Sequence, residues 1–139
     1  MGLHYKHMNK RDLRFITKAL ETSLESEYDK IRIGAVIVDG NYVVAKACNT
    51  SRTHTRQAKY NERTGRKCPS PKLHAEIHAL IKSKNYDLTN ATIYVGRYLM
   101  NGTLGNCKPC SSCASALRDS GIRRVVYTTE TGVHIEGIN

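Results

Sequence analysis

Ile31-Arg32-Ile33-Gly34-Ala35-Val36-Ile37-Val38-Asp39-Gly40-Asn41-Tyr42-Val43-Val44-Ala45-Lys46-Ala47 joins two apolar, β-branched runs through Asp-Gly. That pattern predicts a β-hairpin. Before it, Leu13, Ile16, Leu20 and Leu24 recur at spacings of three and four after Asn9, a residue suited to an N-cap. A first helix over about 10–27 with one buried stripe is expected. After it, Leu73, Ile77, Leu80 and Ile81 mark a second helix, Thr92 to Gly96 a third strand, Ala114 and Leu117 a third helix, and Arg124 to Thr128 a fourth strand. Val133 to Ile138 follows the fourth strand too closely for an intervening helix, so the last strand is expected to be antiparallel. The order α-β-β-α-β-α-β-β implies one α/β domain, residues 1–139, with a mixed five-stranded sheet between helices in three layers.

Bulk composition narrows the function classes. The chain has 139 residues, the size of one domain. Its longest apolar runs are far shorter than the roughly 18 residues a membrane span needs. The basic, polar start from Met1 to Arg14 carries no secretory pattern, so a cytoplasmic protein is expected. Five cysteines in such a chain point to thiols kept for metal or chemistry. The net charge of +10 favours phosphorylated or polyanionic partners. Six of those ten charges lie between Ser51 and Lys72, a stretch with no evident period that also holds Gly65, Pro69 and Pro71. It reads as a long basic loop, with Arg56 and Lys59 as candidates for contacting phosphate.

Two short motifs carry the chemistry. Leu73-His74-Ala75-Glu76 opens the second helix, and Lys108-Pro109-Cys110-Ser111-Ser112-Cys113 opens the third. One imidazole and two thiolates supply the three protein ligands of a catalytic zinc site, whose fourth position stays open. Side chains two residues apart on a helix diverge by about 200°, so His74 and Glu76 can face one metal only if His74 stands at the helix opening. Such a metal makes water nucleophilic near neutral pH, and Glu76 is the candidate acid-base. A closed, non-catalytic zinc module, with Cys107 or Cys68 as fourth ligand, is the alternative. Cys68 with His54 is a second, separate metal candidate, and His78 a candidate for touching substrate or simply a hydrogen-bonded helix residue. Cys48 is expected in the core. Aromatic platforms for nucleic acid are few, with only Tyr60 and Tyr98 expected in loops near the motifs, which argues for a small substrate.

His-Ala-Glu followed at a distance by Pro-Cys-Ser-Ser-Cys resembles the zinc-dependent cytidine and deoxycytidylate deaminase superfamily. The likeness runs from about Ile31 to Thr128 and includes Gly34 to Val38, Asn49, Leu117 and Gly121-Ile122. It is similar to small phage and bacterial deaminase-like proteins. The resemblance implies a cytidine deaminase-like fold, Zn2+ on His74, Cys110 and Cys113, proton transfer by Glu76, and a homo-oligomer. It further implies that the Ala75 backbone N–H holds the base and that Asn49 contacts the sugar, with Tyr98 a candidate for stacking on the base. The expected reaction is hydrolytic deamination of a cytosine base in a nucleotide such as deoxycytidylate. A nucleic-acid-editing cytosine or adenine deaminase is the alternative within the same chemistry. Three features depart from deoxycytidylate deaminases: His78 stands where many have Asn, the loop from Tyr98 to Lys108 is longer, and the ending after the fourth strand looks more like the free-nucleoside branch.

Overall fold

A computed structural model describes residues 8–28, 30–66 and 71–138. Helix α1 spans Lys10–Ser23, strands β1 and β2 span Arg32–Asp39 and Tyr42–Cys48, and helices α2 and α3 span Thr55–Arg63 and Ala75–Lys82. Strand β3 (Ala91–Tyr98), helix α4 (Ser111–Asp119) and strands β4 (Arg124–Thr129) and β5 (Gly132–Gly137) complete the described fold. The sheet order is β2-β1-β3-β4-β5. Only β3 and β4 pair in parallel, across the α4 crossover, and β5 returns antiparallel to β4 as expected.

The hairpin turns where the sequence places it, but the two-residue loop is Gly40-Asn41, with Asp39 paired to Tyr42. Gly40 takes φ +64°, which a side chain would resist. Alternation along the inner strands sorts the core into two layers. Ala35, Ile37, Ile93, Val95, Val125 and Tyr127 face the side covered by α3 and α4, whereas Val36, Val38, Tyr94 and Val126 face α1. This gives the expected helix-sheet-helix layering.

Two expectations are corrected. The buried side of α1 is Asp12, Phe15, Ile16, Ala19, Leu20 and Ser23, while Leu13 and Leu24 are exposed and the helix ends at Ser23 rather than near residue 27. The reason is backbone proximity: Gly34 and Gly96 are paired in the sheet, and a Cβ on Gly34 would meet Ala19 O at 2.2 Å and Ser23 N at 2.4 Å. The helix main chain rests on this glycine pair, so small residues rather than Leu24 face the sheet there. Second, the basic segment is not a continuous loop. His54 caps α2 by accepting the Arg56 N–H at 3.0 Å, and Gln57, Tyr60 and Asn61 turn inward at helical spacing. Polar buried residues hide that period from a search for apolar ones. No helix of the described residues is long and apolar enough to cross a membrane.

Candidate active site

The site lies where α3 and α4 begin. His74 is the N-cap of α3 and Cys110 the N-cap of α4, both in extended backbone, and neither side chain caps its own helix. N-cap side chains ordinarily bond the first turn's N–H groups. Here they turn toward each other instead. His74 Nδ1 lies 3.3 Å from Cys113 Sγ and 3.6 Å from Cys110 Sγ. Nitrogen and sulfur ligands of one tetrahedral zinc stand about 3.5 Å apart, so this donor set fits the ion. Among the described residues, His74, Cys110 and Cys113 form the one group of three or more such donors close enough to share a metal.

Electrostatics at the two helix openings fit a cation as well. A hydrogen bond from Cys113 holds the Cys110 thiol down at about 3, against burial and with help from His74. That same shared proton, together with burial, pushes Cys113 well above its ordinary value. A bound metal would take the place of that shared proton, with both sulfurs as thiolates. Glu76, in the first turn of α3 and 5% exposed, is pushed up to about 7 by burial, opposed by His74. A carboxyl so placed can both accept and release a proton near neutrality.

Cys107 does not join the donors. Its thiol is buried against the Val95 carbonyl at 3.2 Å and Thr128 Oγ1 at 3.2 Å, and burial raises it to about 12. The described donor set therefore holds three ligands, as an open site does. Cys68 lies outside the described residues. Cys48 is half-buried rather than in the core, and its carbonyl accepts the Nδ1–H of His78 at 2.9 Å, tying α3 to β2.

His74, Glu76 and Cys110 line a cavity of about 560 Å3, as do Asn49 and Ala75. Asn49 is anchored from both ends of its amide, accepting Ile33 N–H at 3.0 Å and donating to Ile31 O at 2.8 Å. One donor and one acceptor of that amide remain. The structure does not bring the other three candidates there. Tyr98 shares the α1 face with Tyr94 and Gly96 by strand alternation, and it borders a separate depression with Leu24 and Met100. Neither Arg56 nor Lys59 lines the cavity: Arg56 is half-buried in the first turn of α2, and Lys59 is exposed, its ammonium 5.5 Å from the centre of the Tyr60 ring. Tyr60 itself is buried in α2 rather than in a loop. Instead, among the described residues, the cavity gathers Lys30, Arg66, Lys72 and Lys108, which with His74 and Glu76 are its ionisable lining besides Tyr28, Cys107 and Cys110. Arg66 and Lys72 belong to the basic segment visible in the sequence; Lys30 and Lys108 carried no such signal.

A family model for the cytidine and deoxycytidylate deaminase zinc-binding region matches residues 9–129. The chain belongs to this family. Over 59 residues it is 39% identical to a deoxycytidylate deaminase of Mycobacterium phage D29, covering 42% of this chain and 38% of that one. Over 122 residues it is 30% identical to a tRNA-specific adenosine deaminase of Haemophilus influenzae, covering 84% and 57%. These matches thus span well under two-thirds of either relative. In fold, it is similar to the dCMP deaminase of cyanophage S-TIM5, with a TM-score of 0.62, 20% identity, and coverage of 89% and 87%. As a member of a zinc-binding deaminase family, the chain has Zn2+ as the cofactor that its His-Cys-Cys cluster fits.

Proposed function

We propose that this chain hydrolytically deaminates a cytosine base carried by a phosphorylated nucleotide, deoxycytidylate being the simplest such substrate. The observation that carries the reading is a single cavity lined by Glu76, by two members of the donor cluster, His74 and Cys110, and by four basic residues, Lys30, Arg66, Lys72 and Lys108. His74, Cys110 and Cys113 hold the zinc, which when bound supplies the Lewis acidity that makes water nucleophilic near neutral pH. Glu76 takes one proton of the attacking water and delivers it to ring N3 as the water oxygen bonds to C4; it then takes the second proton, from the new C4 hydroxyl, and passes it to the amino group, so that the C4–N4 bond breaks and ammonia leaves. The Ala75 N–H, in the first turn of α3 where helix donors have no intrahelical partner, holds the base, and the spare amide capacity of Asn49 serves the sugar. The cations draw a phosphate to the mouth and leave an uncharged nucleoside weakly held.

A second reading, deamination of a base within RNA, draws on the 84% coverage of this chain by the tRNA-specific relative. The same cations would then follow a polynucleotide backbone, and binding would weaken steeply with salt. Ammonia release by the zinc-loaded protein and its Glu76→Gln variant separates the two. The panel is cytidine, deoxycytidine, their mono- and triphosphates, purine nucleosides, and single-stranded and transfer RNA. Turnover of deoxycytidylate that the variant lacks supports the first reading; turnover of RNA alone replaces it with the second.

A further inference from the structure

Helix α2 carries a chain of polar side chains that reaches both helix openings of the metal cluster. Gln57 is fully buried. Its Oε1 accepts the backbone N–H of His74 at 3.0 Å, and its Nε2 donates to Oδ1 of the buried Asn61 at 3.0 Å. One turn on, Thr64 Oγ1 lies 3.1 Å from Oγ of Ser112, which is fully buried between Cys110 and Cys113. At the far end of α4, Tyr60 OH and Arg63 Nη1 both donate to Asp119 Oδ2, at 3.0 and 2.6 Å. The α2 helix thus touches the start of α3 through one side chain and both ends of α4 through others.

A buried amide is costly unless bonded, and Gln57 uses its acceptor on the backbone N–H of His74, one of the three donor residues. The stretch before His74 is held as well. Leu73 N–H donates to Arg52 O at 2.9 Å and Thr50 N–H to Leu73 O at 3.1 Å, which fixes the chain on both sides of that residue. His74 itself is held at both backbone polar groups: its carbonyl accepts the His78 N–H at 3.0 Å within α3, and its N–H reaches Gln57, the side chain that ties this residue to α2. Groups that fix a ligand's orientation commonly change metal affinity by about 10- to 100-fold when removed.

We propose that α2 is a positioning strap for the metal cluster, in which Gln57 sets His74 through its backbone N–H and Thr64 sets the Cys110–Cys113 turn through Ser112. Gln57 and Thr64 touch neither metal nor substrate, so they are positioning residues. The inference rests on the reading of His74, Cys110 and Cys113 as zinc ligands.

The test is zinc affinity by chelator competition, together with the visible spectrum of the cobalt-substituted protein, for the full chain and four variants, with folding followed by circular dichroism. Gln57→Ala is expected to weaken zinc about 10- to 100-fold and to shift the cobalt bands. Gln57→Glu, which keeps an acceptor for His74 N–H but gives up the donor to Asn61, is expected to recover part of the affinity lost in Gln57→Ala. Thr64→Val, near-isosteric, is expected to weaken zinc about tenfold and covers the case in which Gln57→Ala does not fold. Tyr60→Phe loses only the remote bond to Asp119 and is expected to leave affinity and spectrum unchanged. Folded Gln57→Ala or Thr64→Val proteins with wild-type affinity and cobalt bands would overturn the strap alone. A wild-type chain that binds neither ion would overturn the metal reading and the strap with it.

Discussion

Two buried polar clusters lie on opposite faces of the same sheet and are built in opposite ways. On the α1 face, Asp12 is 1% exposed and fully answered: Arg124 grips both carboxylate oxygens, at 3.0 and 2.5 Å, and Tyr94 OH donates at 2.6 Å. Burial works against the Asp12 carboxylate, but the hydrogen bonds from Arg124 and Tyr94 outweigh it and hold the group below its ordinary value. On the other face, Glu76 is almost as buried and is driven the other way, up to about 7. Its neighbours are metal donors and a cavity rather than a bidentate partner. The difference teaches where the chain keeps structure and where it keeps reactivity. A charge closed by its partners stabilises one arrangement, whereas a buried group left poised toward an opening is available for chemistry.

The largest expected effect tests the open cluster. Glu76→Gln should lower deamination by about 10²- to 10⁴-fold while zinc content and unfolding midpoint stay close to wild type. Full activity in this variant would break the contrast at once. The matching change on the closed side is Asp12→Ala, which strands the Arg124 guanidinium and Tyr94 OH. It should cost about 3 kcal/mol in denaturant titration yet leave turnover per folded molecule intact. Loss of activity without loss of stability would mean that the closed cluster serves the reaction.

Zinc removal lies between these in size. Chelation should lower the unfolding free energy by about 4 kcal/mol relative to protein in zinc at a thousandfold excess over Kd, and Cys110→Ser should abolish that difference. Acid sharpens the contrast further. Because the folded Asp12 carboxyl sits below its ordinary 3.8, its contribution is complete above that pH and is lost as pH falls through the lower folded value. Urea midpoints between pH 2 and 6 should therefore fall more steeply for wild type than for Asp12→Asn. The smallest effects concern the cations. Arg66→Ala and Lys72→Ala should each raise KM for deoxycytidylate several-fold at low salt, whereas Arg56→Ala and Lys59→Ala should leave it within about twofold.

Legibility in the sequence followed the kind of signal each region carries. Strands β1, β3 and β4 announce themselves through continuous β-branched runs, because both of their faces are buried. The convergence of His74, Cys110 and Cys113 was legible because a donor set fit for a metal demands particular atoms at short spacing and at helix openings. Helix α2 was not, since its inward side is Gln57, Tyr60 and Asn61, which look like surface residues until their partners on α3 and α4 are known. Tyr98 was misplaced for a related reason: a residue near a motif in sequence can stand on the far face of a strand.

The residues by themselves determined the layered α/β architecture, the antiparallel return of β5 and the His-Cys-Cys set that converges at the two helix openings, because local periodicity and ligand chemistry are written in neighbouring positions. Only the tertiary structure decided that α1 sits on the Gly34–Gly96 pair, that Cys107 is bonded to Val95 and Thr128 rather than grouped with the donors, and that Lys30, Arg66, Lys72 and Lys108 line the cavity. Those outcomes depend on which backbone atoms approach which side chains across the sheet and between helices, and distances of that kind arise from packing between segments remote in sequence.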